Sequence, residues 1–219
     1  IRQKKLQDAK QPLRKSIELN PNFFQAHHNL GVVLQELGQL QEAELSTRKA
    51  IKLNPDFAEA YLNLGTILKN LGNLQEAEVS IRKAIELKPD FAEAYFNLSL
   101  TELLKGNYQS GLDNFEFRFK TNNPIKTIST TKLKRIDNRK LPAEKSLLVI
   151  SEGGLGDTLQ NMRYIPYLRN QDCDIYFCAQ EKLHSLIQAS EIDQNPLTPK
   201  EVSEVSEGKW IPLLSLPRY

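Results

Sequence analysis

One interval governs this chain. Asn20-Pro21-Asn22-Phe23, Asn54-Pro55-Asp56-Phe57 and Lys88-Pro89-Asp90-Phe91 each begin 34 residues after the previous copy. The likeness runs through the whole period. Leu40-Gln41-Glu42-Ala43-Glu44 returns as Leu74-Gln75-Glu76-Ala77-Glu78, and Arg48-Lys49-Ala50-Ile51 as Arg82-Lys83-Ala84-Ile85. A copied unit of this size cannot bury an apolar face alone. Copies must stack, and a fixed period of about 20 to 50 residues marks a solenoid.

The period itself predicts two helices. Ala26, Leu30, Val33, Leu34 and Leu37 recur at three- and four-residue steps and form one apolar stripe. Leu40, Ala43, Thr47, Ala50, Ile51 and Leu53 form a second, after Gly38-Gln39. Gly38, Gly72 and Gly106 are expected to end the first helices, and Pro21, Pro55 and Pro89 the second. Gly31, Gly65, Ala43, Ala77, Ala50 and Ala84 are small where helices must approach closely. The pattern predicts a solenoid over 1–120: a half repeat at 1–21, then helix pairs over 22–53, 56–87 and 90–119. Pro12 predicts a kink in the leading helix, or a helix that begins near it. Opening inside a period predicts further repeats before Ile1. The third pair is irregular: Glu102 stands where Leu34 and Leu68 stand, Gly111 replaces Ala43 and Ala77, and Phe115, Phe117 and Phe119 crowd its end.

Residues 121–145 break the period. Lys126, Lys132, Lys134, Arg135, Arg139, Lys140 and Lys145 outnumber Asp137 and Glu144, and the segment reads as a basic, solvated linker. From Ser146 the pattern becomes α/β. Residues 146–151 read as a buried parallel strand, followed by a glycine turn and a helix over 157–170. A strand over 174–179, a helix over 181–191 and an extended segment or third strand over 210–216 follow. This is the opening of a doubly wound fold, incomplete over 146–219.

Composition removes several classes. The 219 residues suffice for one or two domains. A net charge of +2 provides no bulk field for nucleic acid. Leu147-Leu148-Val149-Ile150, an uninterrupted aliphatic run of the second half, is far too short to span a bilayer, and no secretory signal opens the chain. Cys173 and Cys178 fall on one strand at odd spacing and point to opposite faces, so a reduced, cytoplasmic compartment is expected. His184 has no Cys or His at ligand spacing, and no metal site is expected.

Two constellations carry chemistry. Asn29, Asn63 and Asn97 occupy one place in each first helix, one residue before the core leucines Leu30, Leu64 and Leu98. That places them off the buried stripe, as an amide ladder on the concave face. An amide both donates and accepts, so it can hold an extended peptide backbone whatever the side chains. His28 is expected to line the same groove; His27 takes the packing position of Tyr61 and Tyr95. The second constellation is Gly153-Gly154-Leu155-Gly156-Asp157-Thr158, between strand and helix. Gly153, Gly154, Gly156 and Thr158 could approach a phosphate there. The bland reading is a tight turn with Asp157 as N-cap.

Both constellations resemble known families. The 34-residue units are of tetratricopeptide length, and Asn-Pro-Asp-Phe-Ala-Glu-Ala-Tyr-Leu-Asn-Leu-Gly at 54–65 resembles the repeats of O-linked N-acetylglucosamine transferase. In that family such asparagines hold substrate peptides. Gly-Gly-Leu-Gly-Asp at 153–157 resembles the GT-B glycosyltransferases. Glycogen and starch synthases carry Lys-x-Gly-Gly-Leu near the first strand, with Ser151 here in the lysine's place. Heptosyltransferase-like enzymes carry Gly-Asp at this turn followed by a proline, which here is Pro166 and comes later. Their aspartate implies Asp157 as the general base on the acceptor hydroxyl. The best overall likeness is to bacterial proteins that fuse tetratricopeptide repeats to a heptosyltransferase-like domain. The resemblance thus implies a solenoid followed by a Rossmann-like GT-B N-terminal half, with a nucleotide sugar as donor in a longer protein and no tightly bound cofactor. It implies a chain that binds a protein or peptide and is inactive as a transferase by itself. A non-catalytic interaction scaffold is the alternative.

Overall fold

A computed structural model describes residues 2–136, 146–170 and 174–218. The chain divides into two compact units, Ile1–Asn122 and Asn123–Tyr219.

The first unit is helical throughout. A leading helix α1 (Arg2–Leu19) precedes three pairs: α2 (Phe24–Glu36) with α3 (Leu40–Leu53), α4 (Ala58–Asn70) with α5 (Leu74–Leu87), and α6 (Ala92–Leu104) with α7 (Tyr108–Phe115). The first helices end as expected. Gly38, Gly72 and Gly106 have φ of +76°, +84° and +81°. The following N–H groups, of Gln39, Asn73 and Asn107, donate back to the carbonyls of Leu34, Leu68 and Glu102. The second helices stop two residues before each proline. Asn54 is already extended, at φ −139° and ψ 95°, because the residue before proline is forced out of the helical region. Close helix crossings fall where small residues stand. A Cβ on Gly31 would meet Thr47 Oγ1 at 2.3 Å, and one on Gly65 would meet Ile81 Cγ1 at 2.4 Å. Ala43, Ala50, Ala77 and Ala84 are fully buried.

Two expectations for this unit need correction. Pro12 does not start α1, which is helical from Arg2 and continues through it. Leu13 and Ile17, on the turn beyond, pack on Leu30 and Leu34 and hold the helix across the missing donor. The third pair is also shorter than 90–119 implies. α7 has 8 residues and passes into a 3₁₀ turn, Glu116–Phe119. Buried Arg118 lies between the rings of Phe115 (4.4 Å) and Phe119 (4.1 Å), and Phe117 stacks on Tyr95 at 4.1 Å. The aromatic crowding replaces the helical stripe with stacked rings.

Neighbouring repeats are also joined by charge. Arg14 pairs with Glu42 at 3.1 Å and Arg48 with Glu76 at 3.2 Å, each pair linking successive second helices. The next acid in the series would fall on Ser110. Arg82 turns instead to Glu102, at 2.8 Å. Glu102 is fully buried and also accepts from Asn114 Nδ2 at 2.9 Å. A carboxylate in a leucine position is thus satisfied by the arginine that the failed ladder releases.

The second unit contains four described strands: β1 (Lys134–Arg135), β2 (Ser146–Ile150), β3 (Asp174–Cys178) and β4 (Lys209–Pro212). They form one parallel sheet in the order β1-β4-β2-β3. Both faces are covered. Leu147, Val149, Phe177 and Ile211 pack under Ile165, Leu168 and Ile187; Leu148, Ile150 and Cys178, with Trp210 beside them, pack under Val202, Ile128 and Leu133. Parallel sheets require this double cover, which is why β2 reads as a continuous apolar run. The expected helix over 157–170 is two short ones, α8 (Leu155–Asn161) and α9 (Tyr164–Arg169). Pro166 has no donor to continue α8 but fits the first turn of a new helix. The stretch 181–191 opens as a 3₁₀ turn, Glu181–Leu183, before α10 (His184–Ala189). The extended segment at 210–216 ends at Pro212 and becomes a 3₁₀ run, Leu213–Arg218.

The solvated linker also needs correction over 127–136. Ile128 N–H donates to Ser151 O at 2.9 Å, Ile136 N–H to Trp210 O at 2.9 Å, and β1 pairs with β4. The apolar side chains of Ile128, Leu133 and Ile136 pack on the sheet core and draw the segment in. Residues 137–145 and Cys173 lie outside the described residues. Cys178 is buried and unpaired, and burial pushes its thiol up to about 12. Among the described residues no helix is long and apolar enough to cross a membrane, and no cluster of His, Cys, Asp and Glu could hold a metal.

Candidate functional site

The three asparagines lie at equivalent places on α2, α4 and α6, but they are not equivalent. Asn29 is exposed. Asn63 is only 9% exposed, and its Nδ2 donates to Thr47 Oγ1 at 3.1 Å. Asn97 donates to its own helix at Glu93 O (2.9 Å), while its Oδ1 accepts from Thr66 Oγ1 at 3.4 Å. The expectation that all three stand clear of the buried stripe therefore fails for Asn63. The cause is the facing residue on the preceding second helix: Leu13, Thr47 and Ile81 in the three copies. Only Thr47 can accept a hydrogen bond. It draws Asn63 inward, while Leu13 and Ile81 offer Asn29 and Asn97 no acceptor at that place. Thr47 and Thr66 are the functional neighbours that pattern reading missed. Their signal was the break in copying, Thr47 against Leu13 and Ile81, and Thr66 against Val32 and Leu100.

His28 sits beside this row. Its ring meets Phe57 edge-on at 4.9 Å, and its buried Nδ1 has no hydrogen-bond partner. Burial pushes its pKa below the ordinary imidazole value and Glu59 pulls the other way, so the ring is neutral at neutral pH. Glu59 is taken by Lys88 Nζ at 3.2 Å. One repeat later, Glu93 accepts the N–H of Asn122 at 2.7 Å. His27 is structural, as expected: its Nε2 bonds Pro21 O at 3.0 Å.

The glycine turn lies at the carboxyl end of β2. Gly153 has φ +71° and Gly154 opens α8. Asp157 is not the N-cap. It is the third helical residue, and its Oδ2 reaches back to accept the Gly154 N–H at 2.8 Å. Its side chain remains exposed, as do Gly153, Gly154 and Gly156. Thr158 departs from the phosphate-binding expectation. It is buried, and its hydroxyl donates to Gln180 Oε1 at 2.8 Å, tying α8 to the chain after β3. Glu152, also buried, accepts the Leu214 N–H at 3.1 Å and fixes the turn against the chain after β4. Nothing in the local sequence distinguished these two anchors from ligand contacts.

Models of the tetratricopeptide repeat match residues 13–44, 36–72 and 58–91, so the chain carries tetratricopeptide repeats. Solved MamA structures are similar to it. One MamA protein is 28% identical over 52% of this chain and 63% of that one, with a TM-score of 0.48. A second MamA crystal structure is 25% identical over 53% and 68%, with a TM-score of 0.49. A MamA chain from Desulfovibrio magneticus RS-1 is 24% identical over 51% and 63%, with a TM-score of 0.48. The chain spans less than two thirds of the length of the first and third of these. No curated protein sequence matches it.

Proposed function

We propose that the solenoid docks an extended peptide or protein segment along the face formed by α2, α4 and α6. The recurrence of an amide at one place on three stacked first helices is the observation that carries this reading. Asn29 offers donor and acceptor outright. Asn63 keeps part of its capacity beside one internal bond, and Asn97 beside two. The test uses the full chain and a peptide selected against it from a random library. Asn29→Ala should weaken binding several-fold with the thermal midpoint unchanged. Asn63→Ala should also lower the midpoint, because the buried bond from α4 to Thr47 on α3 is lost. The triple Ala variant should bind several-fold to about a hundredfold more weakly, at about 0.5–1.5 kcal/mol per net hydrogen bond. Unchanged affinity of the triple variant would remove the ladder as the docking element.

A second reading concerns the α/β unit. It is the opening half of a glycosyltransferase domain of GT-B type, in which Asp157 takes the proton of an acceptor hydroxyl and a nucleotide sugar is the donor. The exposed carboxylate on a glycine turn at the carboxyl end of a parallel strand supports it. On this reading residues 1–219 alone bind but do not transfer. In a longer chain that completes the domain, Asp157→Asn should abolish transfer and keep the fold; retained turnover would leave Asp157 only its bond to Gly154. The buried, unpaired Cys178 fits a reducing, cytoplasmic setting.

A further inference from the structure

The segment 127–133 packs on the sheet face that Val202 also covers, and it leaves a cavity of about 550 Å³ against the 3₁₀ turn Glu201–Glu204. Leu133, Val202 and Val205 form its apolar part and belong to the same core cluster as Trp210. Thr130, Thr131, Ser203 and Ser206 add hydroxyls, and Lys132 is the one charged side chain among the described lining residues. Both walls are fixed without a ligand. On one, Ile128 N–H donates to Ser151 O, Leu133 N–H donates to Thr131 Oγ1 at 3.2 Å, and β1 pairs with β4. On the other, Glu201 accepts the N–H and the hydroxyl of Thr198, both at 2.7 Å. Ser129 Oγ donates to Pro199 O at 2.8 Å and ties the two walls together. A concave site of this size, with an apolar floor and a few polar groups, suits a small organic molecule, and walls held in advance spare it the cost of ordering them. The lining also selects charge. The hydroxyls of Thr130 and Ser206 and the ammonium of Lys132 have no partner among the described residues. The acids of the turn, Glu201 and Glu204, line a second cavity of about 270 Å³ with Tyr176 instead. A cation and free hydroxyl donors, with no carboxylate among them, favour an anionic head above the apolar floor.

We propose that this cavity binds a small amphipathic anion, with its acid head on Lys132 and the hydroxyls of Thr130 and Ser206 and its apolar body on Leu133, Val202 and Val205. The site lies apart from the row of asparagines and from the glycine turn, none of whose residues line it. A carboxylate and a phosphate offer Lys132 the same chemistry, and the test separates them. Octanoate, octyl phosphate and the uncharged 1-octanol are titrated into the full chain. Binding is read from the emission of Trp210, which packs in the same cluster, and from the thermal midpoint of the α/β unit. At least one of the anions should bind saturably and raise the midpoint, and 1-octanol should bind about tenfold more weakly. Lys132→Met should bring the anion down to the level of 1-octanol and leave 1-octanol unchanged; Lys132→Arg should restore the difference. Lys132 is exposed, so both variants should keep the parent midpoint without ligand. Ser206→Phe should fill the cavity and weaken all three. Binding of one anion alone assigns the head as carboxylate or phosphate. No saturable binding of either anion, 1-octanol binding as tightly as the anions, or an anion preference that survives in Lys132→Met would overturn the proposal.

Discussion

Gly208→Ala should unfold the α/β unit at much lower temperature or denaturant than the parent, while the repeats keep their helical signal. Gly208 has φ +97°, and a Cβ there would stand 2.3 Å from the carbonyl oxygen of Ser146. Both problems are backbone problems. No rotamer change relieves the dihedral, and the obstructing atom belongs to the first residue of β2. Strain at a disallowed dihedral and overpacking each cost about 1–3 kcal/mol, so about 3 kcal/mol or more is expected together. The readout is built in, because the single tryptophan of the chain, Trp210, lies in β4 two residues on. Its emission should shift with the unit. An unchanged Trp210 midpoint would mean that the turn into β4 does not run past Ser146 as described.

The second large effect is expected at Leu68→Ala. Leu68 is 1% exposed and packs with Leu64, Ala77 and Ile51, so it joins α4 to both neighbouring second helices. Truncating a leucine this enclosed costs about 2–5 kcal/mol. In a stacked array the loss falls on the interface between first and second repeats, and the helical unfolding curve should broaden or split. Glu102→Leu is the control at the equivalent place one repeat later. It restores the residue of the other copies but strands Asn114 and frees Arg82 to solvent. Arg82 is about half-exposed and keeps its pair with Glu78, so losing Glu102 leaves no buried, unpaired charge and a smaller change is expected. Equal losses for the two substitutions would mean that Leu68 does not bridge the repeats.

The solenoid was legible because each helix pair repeats a local pattern, and nearest-neighbour packing is all that the fold requires. Gly38, Gly72 and Gly106 announced the turns, and Gly31 and Gly65 the crossings, from one-dimensional spacing alone. The parts that spacing could not show are relations between copies. The inward turn of Asn63 depends on Thr47, sixteen residues away and in the preceding repeat. The satisfaction of Glu102 depends on Arg82, and on the absence of an acid at Ser110. In the α/β unit the strands were legible as apolar runs. The burial of Thr158 and Glu152 was not, because a hydroxyl or carboxylate beside a glycine turn reads the same whether it faces a ligand or Gln180 and Leu214. Residues 127–136 read as linker because charge dominates there. The three aliphatic side chains that anchor them are too sparse to show a period.

The Arg–Glu pairs between second helices also give the array a direction. Every repeat offers an arginine forward and an acid backward until the third, whose acid is missing and whose predecessor's arginine is diverted into Glu102. A duplicated unit inserted between the first and second repeats would meet matching charges on both sides. One inserted after the third would find Ser110 behind it and no arginine waiting ahead. Duplication inside the array therefore preserves the charge pairing between second helices, and duplication after the third repeat does not.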